Sequence, residues 1–129
     1  MTMPSPAYVY RAEVVKVFDG DTIGVIVDVG FTISHGNKRE PMVFRFAGVD
    51  VYETTLRAGT TLEEKQKGLM AKAWLEQRLP SGTEVVIQSI KQDGESAKFG
   101  RYLAYVWHQG ENLSEKMISL GFDKNQKAV

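Results

Sequence analysis

Alternation of apolar and polar residues predicts β-strands in the first third of the chain. From Tyr8 apolar residues recur between polar ones as far as Val17, which is the pattern of a strand. Asp19-Gly20-Asp21 follows as a turn, because glycine supplies backbone freedom and aspartate suits the flanks of turns. Residues 22–29 are rich in β-branched side chains and predict a second strand, and residues 42–49 predict a third. Between these two strands, residues 35–39 predict a hairpin tip.

Two capping boxes in the sequence predict two helices. Thr61 and Glu64 fit a capping box that begins a helix reaching about Leu79, and Asn112 and Glu115 fit a second box before a short helix. Each helix has one apolar face, formed by Ala71, Trp74, Leu75 and Leu79 in the first and by Leu113, Met117 and Leu120 in the second. Residues 84–90 and 102–107 between them predict strands four and five.

The order of these elements predicts the fold class. Three strands, a helix, two strands and a helix are typical of a mainly β (α+β) protein with a five-stranded OB-fold Greek-key barrel. The longer helix lies between strands 3 and 4, and a short C-terminal helix ends the fold. We expect a flexible N-terminal lead over residues 1–7, one OB-fold domain over 8–122 and a short C-terminal tail over 123–129.

The composition excludes several classes of function. The 129-residue chain has no cysteine, which excludes disulfides and thiolate chemistry. Zinc would have to rely on two histidines with acids, and we interpret both His35 and His108 as surface residues. Sixteen basic residues balance sixteen acidic ones, so a polyanion would have to be attracted by a local positive site or a bound cation. Without a signal peptide or a span of ~20 apolar residues, we expect no membrane partner and a cytoplasmic protein, or a secreted one whose leader was removed.

Acids and arginines lie where predicted strands end or begin. They are Asp19, Asp21, Asp50 and Glu53, with Arg45 and Arg101. In a meander the first turn and the end of strand three can meet, and carboxylates gathered there need a hard cation such as Ca²⁺ or Mg²⁺. Two guanidiniums can bind a phosphodiester and stabilise the charge of its transition state. Alternatively, each aspartate is a turn former or cap, and each arginine is a surface residue paired with an acid.

The spacing of Arg45 and Asp50 sets a condition on the third strand. They are five residues apart, so on a straight strand their side chains point to opposite faces. Both can reach one site only if the strand bends or bulges between them. We predict that break at Gly48, because glycine accommodates the backbone conformations of such irregularities.

Three short segments occur in a specific order along the chain. They are Asp19-Gly20-Asp21-Thr22, then Phe44-Arg45 leading to Val49-Asp50 and Glu53, then Lys98-Phe99-Gly100-Arg101-Tyr102-Leu103-Ala104-Tyr105. With a helix between the second and third, this order resembles the staphylococcal (micrococcal, or thermo-) nuclease family. The resemblance covers about residues 10–122 and includes the segment from 112 to 121. The chain departs from the family pattern at Val51-Tyr52, where the family usually has Thr-Pro or Ala-Pro.

The resemblance implies an OB-fold nuclease that needs calcium. It implies Asp21 and Asp50 as metal ligands through their side chains, and Val51 as a ligand through its backbone carbonyl. Asp19 would not bind the metal directly but would lie next to the residues that do. The oxygen donors suit Mg²⁺ as well as Ca²⁺, so Mg²⁺ remains an alternative cofactor.

The resemblance also implies catalytic and substrate-binding roles. Glu53 would be the base, or at least the orienter, for the attacking water. Arg45 and Arg101 would hold the scissile phosphate, and Arg101 would also face the leaving 5′-oxygen. Apart from the resemblance, Lys98, Phe99 and Tyr102 are candidate substrate contacts, because an aromatic ring can stack on a base; the alternative is that the two rings serve packing. The family cleaves DNA and RNA and leaves 3′-phosphate ends.

We therefore expect a calcium-dependent phosphodiesterase or endonuclease that acts on DNA and/or RNA as a monomer. The alternative is a non-catalytic nuclease-like OB module that binds nucleic acid or a protein partner. Such modules usually lack one or more of the metal-binding acids or catalytic residues. All five of these side chains are present here, which favours the enzyme: Asp21, Asp50, Glu53, Arg45 and Arg101.

Overall fold

Five strands form a closed barrel in the computed structural model, which describes residue 3 and residues 7–31, 41–54, 61–91 and 101–125, with only the backbone of Arg101. The strands are β1 Val9–Asp19, β2 Thr22–Asp28, β3 Met42–Phe46, β4 Glu84–Ile90 and β5 Arg101–His108. They neighbour one another in the order β3, β2, β1, β4, β5, and a parallel pairing of β3 with β5 closes the barrel. This confirms the predicted α+β barrel of OB type.

Two helices and one short strand complete the described fold. Helix α1 (Leu62–Arg78) lies between β3 and β4 in the chain, and β6 (Glu111–Asn112) and α2 (Leu113–Ser119) follow β5. The sequence pattern did not indicate β6, which has two residues and pairs with the end of β5. Strand β3 ends at residue 46, earlier than predicted, and the predicted hairpin tip at 35–39 lies outside the described residues.

Both predicted helix caps are present. Thr61 Oγ1 accepts a hydrogen bond from the Glu64 backbone N–H at 3.1 Å. The Asn112 side chain accepts from the backbone N–H groups of Ser114 and Glu115 at 2.9 and 3.2 Å. These bonds satisfy backbone donors that have no partner within the helix, which is why the helices begin at these residues.

The apolar faces of the strands and helices meet in one core. Helix α1 packs against β1, and α2 packs against β5. The prediction for Leu120 was wrong, because this side chain follows the end of α2 and is 42% exposed. The largest fully buried apolar side chains are Phe46, Ile23, Leu75, Leu79, Ile87, Leu113, Met117, Val14, Val25, Val85 and Val106. Among the described residues, no helix is both long and apolar enough to cross a membrane.

The His108 side chain, interpreted from the sequence as a surface residue, is half-buried and accepts a hydrogen bond. Arg78 Nε donates to His108 Nδ1 at 2.7 Å, and Arg78 also donates to Glu111 Oε1 at 2.8 Å. Burial and the neighbouring Arg78 lower the pKa of His108, while Glu111 acts in the opposite direction. The neutral imidazole therefore joins the end of α1 to the end of β5.

We expect acidification to weaken this junction. Because the folded-state pKa of His108 lies below its unfolded value of about 6.5, its contribution to stability is present above that value. That contribution is lost as the pH falls through the folded pKa. His108→Asn keeps an acceptor that does not titrate. Urea unfolding at pH 7.5 and 5.5 should therefore show a smaller loss of stability in the variant, and equal losses would contradict the prediction.

Candidate active site

Asp21 is held in the turn between β1 and β2, against the body of the fold. A Cβ atom at the preceding Gly20 would lie 2.8 Å from the side chains of both Ala71 and Val51, so only glycine allows this close approach. The Asp21 residue is only 8% exposed. Its carboxylate accepts a hydrogen bond from Thr22 Oγ1 at 3.0 Å and a longer one from the Val51 backbone N–H at 3.5 Å.

Arg45 reaches this carboxylate from the neighbouring strand. In the β2–β3 ladder Arg45 pairs with Thr22, the residue after Asp21. Its Nε lies 3.5 Å from Asp21 Oδ2, and its terminal nitrogen donates to Asp50 Oδ1 at 2.9 Å. One guanidinium therefore contacts both of the carboxylates that the family resemblance implies as metal ligands, so these two acids face a common point.

The chain turns after β3 to bring Asp50 back towards Arg45. Gly48 has a positive φ of 83°, in the region that favours glycine, and this confirms the predicted break in the strand. The start of the turn is anchored at Ala47, whose N–H donates to Ala104 O at 2.7 Å and whose carbonyl oxygen accepts from the buried Ser114 hydroxyl. The five-residue separation of Arg45 and Asp50 thus becomes a direct ion pair.

Glu53 lies on a loop that packs against helix α1. Its side chain is exposed and lines the same cleft as the acids and Arg45. A Cβ atom at Gly68 of α1 would lie 2.5 Å from the Tyr52 carbonyl oxygen and 2.6 Å from the Glu53 carbonyl oxygen. The loop has no proline at Val51-Tyr52, and the backbone of α1 supports it at this point.

Of the two remaining predicted side chains that the structure describes, Asp19 and Tyr102, only Asp19 lines the cleft. Its Oδ1 accepts a hydrogen bond from Thr54 Oγ1 at 2.8 Å. Tyr102 is 44% exposed on β5 and packs against Phe44, with ring centroids 5.6 Å apart. The backbone of Arg101 pairs with Val43 of β3, while two predicted substrate contacts, Lys98 and Phe99, lie outside the described residues.

The surroundings of the buried Asp21 carboxylate shift its pKa. Burial raises the pKa of Asp21 above its ordinary value, and Arg45 and the Thr22 hydroxyl act in the opposite direction. Ionised Asp21 therefore costs free energy in the fold even with its arginine partner. Among the described residues, no three acids or histidines are arranged so that they could hold a metal ion by themselves.

A turn after α2 contributes residues that the sequence pattern did not indicate. Asp123 pairs with Val51 in an isolated antiparallel bridge, and the Lys124 N–H donates to Asp50 O at 2.7 Å. The Lys124 ammonium lies 3.3 Å from Asp50 Oδ2. No local motif marks residues 123–125, and only their contact with the loop after β3 identifies them.

The cleft formed by the acids, Arg45 and Lys124 has a volume of about 310 Å³. Its lining consists of Asp19, Asp21, Arg45, Asp50, Val51, Tyr52, Glu53 and Lys124. A larger cleft of about 520 Å³ lies beside β1, β2 and β4, where Arg11 and Glu84 form an exposed ion pair at 3.9 Å. We consider the smaller cleft to be the functional site, because two arginine-paired acids and Glu53 converge there.

Comparisons with known proteins agree with the geometry. Residues 43–128, more than half of the chain, match the family model of staphylococcal nuclease homologues. The chain is also similar to an uncharacterised protein of Methanocaldococcus jannaschii, with 30% identity over 133 aligned residues. That alignment covers 88% of this chain, and the chain spans 58% of the length of the relative.

Proposed function

Because the chain belongs to the family of staphylococcal nuclease homologues, we propose that it is a metal-dependent nuclease that hydrolyses phosphodiester bonds of DNA or RNA. One observation carries the proposal. Arg45 contacts Asp21 and Asp50 together in a cleft that Glu53 also lines. A guanidinium beside two carboxylates and a third acid supplies the groups that phosphodiester hydrolysis requires.

The donors in the cleft fit a hard divalent cation. Asp21 and Asp50 offer carboxylate oxygens and Val51 a backbone carbonyl, which are the ligand types that Ca²⁺ and Mg²⁺ prefer. Further ligands would be waters, because the described residues offer no third acid positioned as a ligand. When bound, the cation would neutralise charge on the phosphate and polarise the water that attacks it.

The chain's own residues have separate tasks in this proposal. Glu53 takes a proton from the attacking water, whose oxygen forms the new bond to phosphorus. Arg45 donates to a phosphate oxygen, and Arg101, whose backbone pairs with Val43 two residues before Arg45, supplies the second guanidinium. The bond from phosphorus to the 5′-oxygen breaks, the 5′-oxygen gains a proton, and the phosphate stays on the 3′ side.

A cleavage assay tests the proposal. The purified protein should cleave end-labelled DNA or RNA in calcium or magnesium, and chelation with EDTA should abolish that cleavage. Mass spectrometry of the products should show 3′-phosphate ends. Binding of single- or double-stranded substrates without cleavage in either metal would instead identify a non-catalytic binding module, and neither binding nor cleavage would refute the proposal.

A further inference from the structure

The turn formed by residues 123–125 is hydrogen-bonded to the backbone of Asp50. The Lys124 N–H donates to Asp50 O at 2.7 Å, and the Asp50 N–H donates to Asp123 Oδ1 at 3.3 Å. Asp123 also pairs with Val51 as a bridge partner. Backbone contacts on both sides of Asp50 therefore fix its position without using the side chain of Lys124.

The side chains of the same turn act on the Asp50 carboxylate. Oδ1 is taken by Arg45 at 2.9 Å, whereas Oδ2 lies 3.3 Å from Lys124 Nζ and 3.5 Å from Asn125 Nδ2. The Lys124 side chain is 40% exposed and lines the cleft. Each oxygen of Asp50 thus has a cationic partner, one on a barrel strand and one on a solvent-facing turn.

The side chains of Arg45 and Lys124 differ in how readily they can move away from Asp50. Arg45 is anchored on β3 and also contacts Asp21. Lys124 Nζ has one ionic partner among the described residues, Asp50, and it ends a flexible four-carbon stem. A divalent cation that takes Asp50 Oδ2 as a ligand would have to displace the ammonium or accept its repulsion at short range.

We propose that Lys124 is an exchangeable counter-ion of Asp50, which a divalent cation displaces when it binds in the cleft. This inference rests on the proposed function, because it requires that cation. Lys124 is therefore a positioning residue that sets the affinity of the cleft for the cation. Its charge lowers that affinity, and its backbone holds Asp50 in place.

Isothermal titration calorimetry with calcium chloride, in the absence of nucleic acid, tests the displacement of Lys124 by the cation. The measurement does not depend on nuclease activity. Lys124→Met keeps the backbone contact to Asp50 and removes the competing charge. We expect it to bind calcium roughly three- to tenfold more tightly than the wild-type chain, as removal of one screened charge at this distance implies. Lys124→Arg keeps the charge and should bind calcium within about twofold of the wild type.

Lys116→Met is the matched control, since Lys116 lies on α2 outside the cleft lining and its loss changes the net charge equally. Unchanged or weaker calcium binding in Lys124→Met, or an equal gain in Lys116→Met, would overturn the proposal. Melting temperatures without calcium verify folding, and Lys124→Gln replaces the methionine variant if that variant does not fold. A wild-type chain that binds calcium but cleaves nothing refutes only the enzyme, whereas one that binds neither calcium nor magnesium refutes both.

Discussion

Replacing Glu53 by glutamine is expected to lower the turnover of nucleic acid about 10²- to 10⁴-fold, the usual contribution of a general base. The amide has nearly the same shape as the carboxylate but cannot accept the proton of the attacking water. Since the Glu53 side chain is exposed, we expect a stability change within about 0.5 kcal/mol. Single-turnover cleavage of a labelled oligonucleotide measures the effect on the chemical step.

Glu76→Gln provides the control for this experiment. Glu76 is exposed on α1 and does not line the cleft, so its replacement removes one negative charge without touching the proposed site. It should cleave at the wild-type rate. If Glu53→Gln also cleaved at that rate with its fold intact, Glu53 would not be the base.

Replacing Gly68 by alanine is expected to lower cleavage roughly 100-fold through the loop that carries Glu53. The new Cβ would meet the carbonyl oxygens of Tyr52 and Glu53 at 2.5 and 2.6 Å, which is too close, so the loop or the helix must move. A displacement of about 1 Å in a catalytic group can cost about 10²-fold in rate. The loss should appear in kcat, because Gly68 does not line the cleft.

The effect of the Gly68 variant on stability should be smaller than its effect on rate. Alanine gains about 1 kcal/mol of helix propensity over glycine, while overpacking costs about 1–3 kcal/mol. The net destabilisation should therefore not exceed about 2 kcal/mol, measured by urea unfolding. Gln66→Ala on the exposed face of the same helix is the control. Wild-type cleavage by Gly68→Ala would show that the helix does not position the loop.

The sequence by itself determined much of the barrel and part of the site. Capping boxes predicted where both helices begin, and the odd spacing of Arg45 and Asp50 required a break that the structure has at Gly48. These features are local, because they depend on hydrogen bonds and side-chain directions within a few residues. The end of β3 and the exposure of Leu120 differ from the prediction at element termini, where periodic patterns are least informative.

Only the tertiary structure decided which distant residues complete the cleft. Gly68 meets the Tyr52–Glu53 backbone, Gly20 meets Ala71, and Lys124 reaches the carboxylate of Asp50. A glycine that is needed for close approach and a lysine that is paired across the fold look the same in sequence as those in any helix or turn. Their roles arise from contacts between segments far apart in the chain, and closure of the barrel by β3 and β5 brings such segments together.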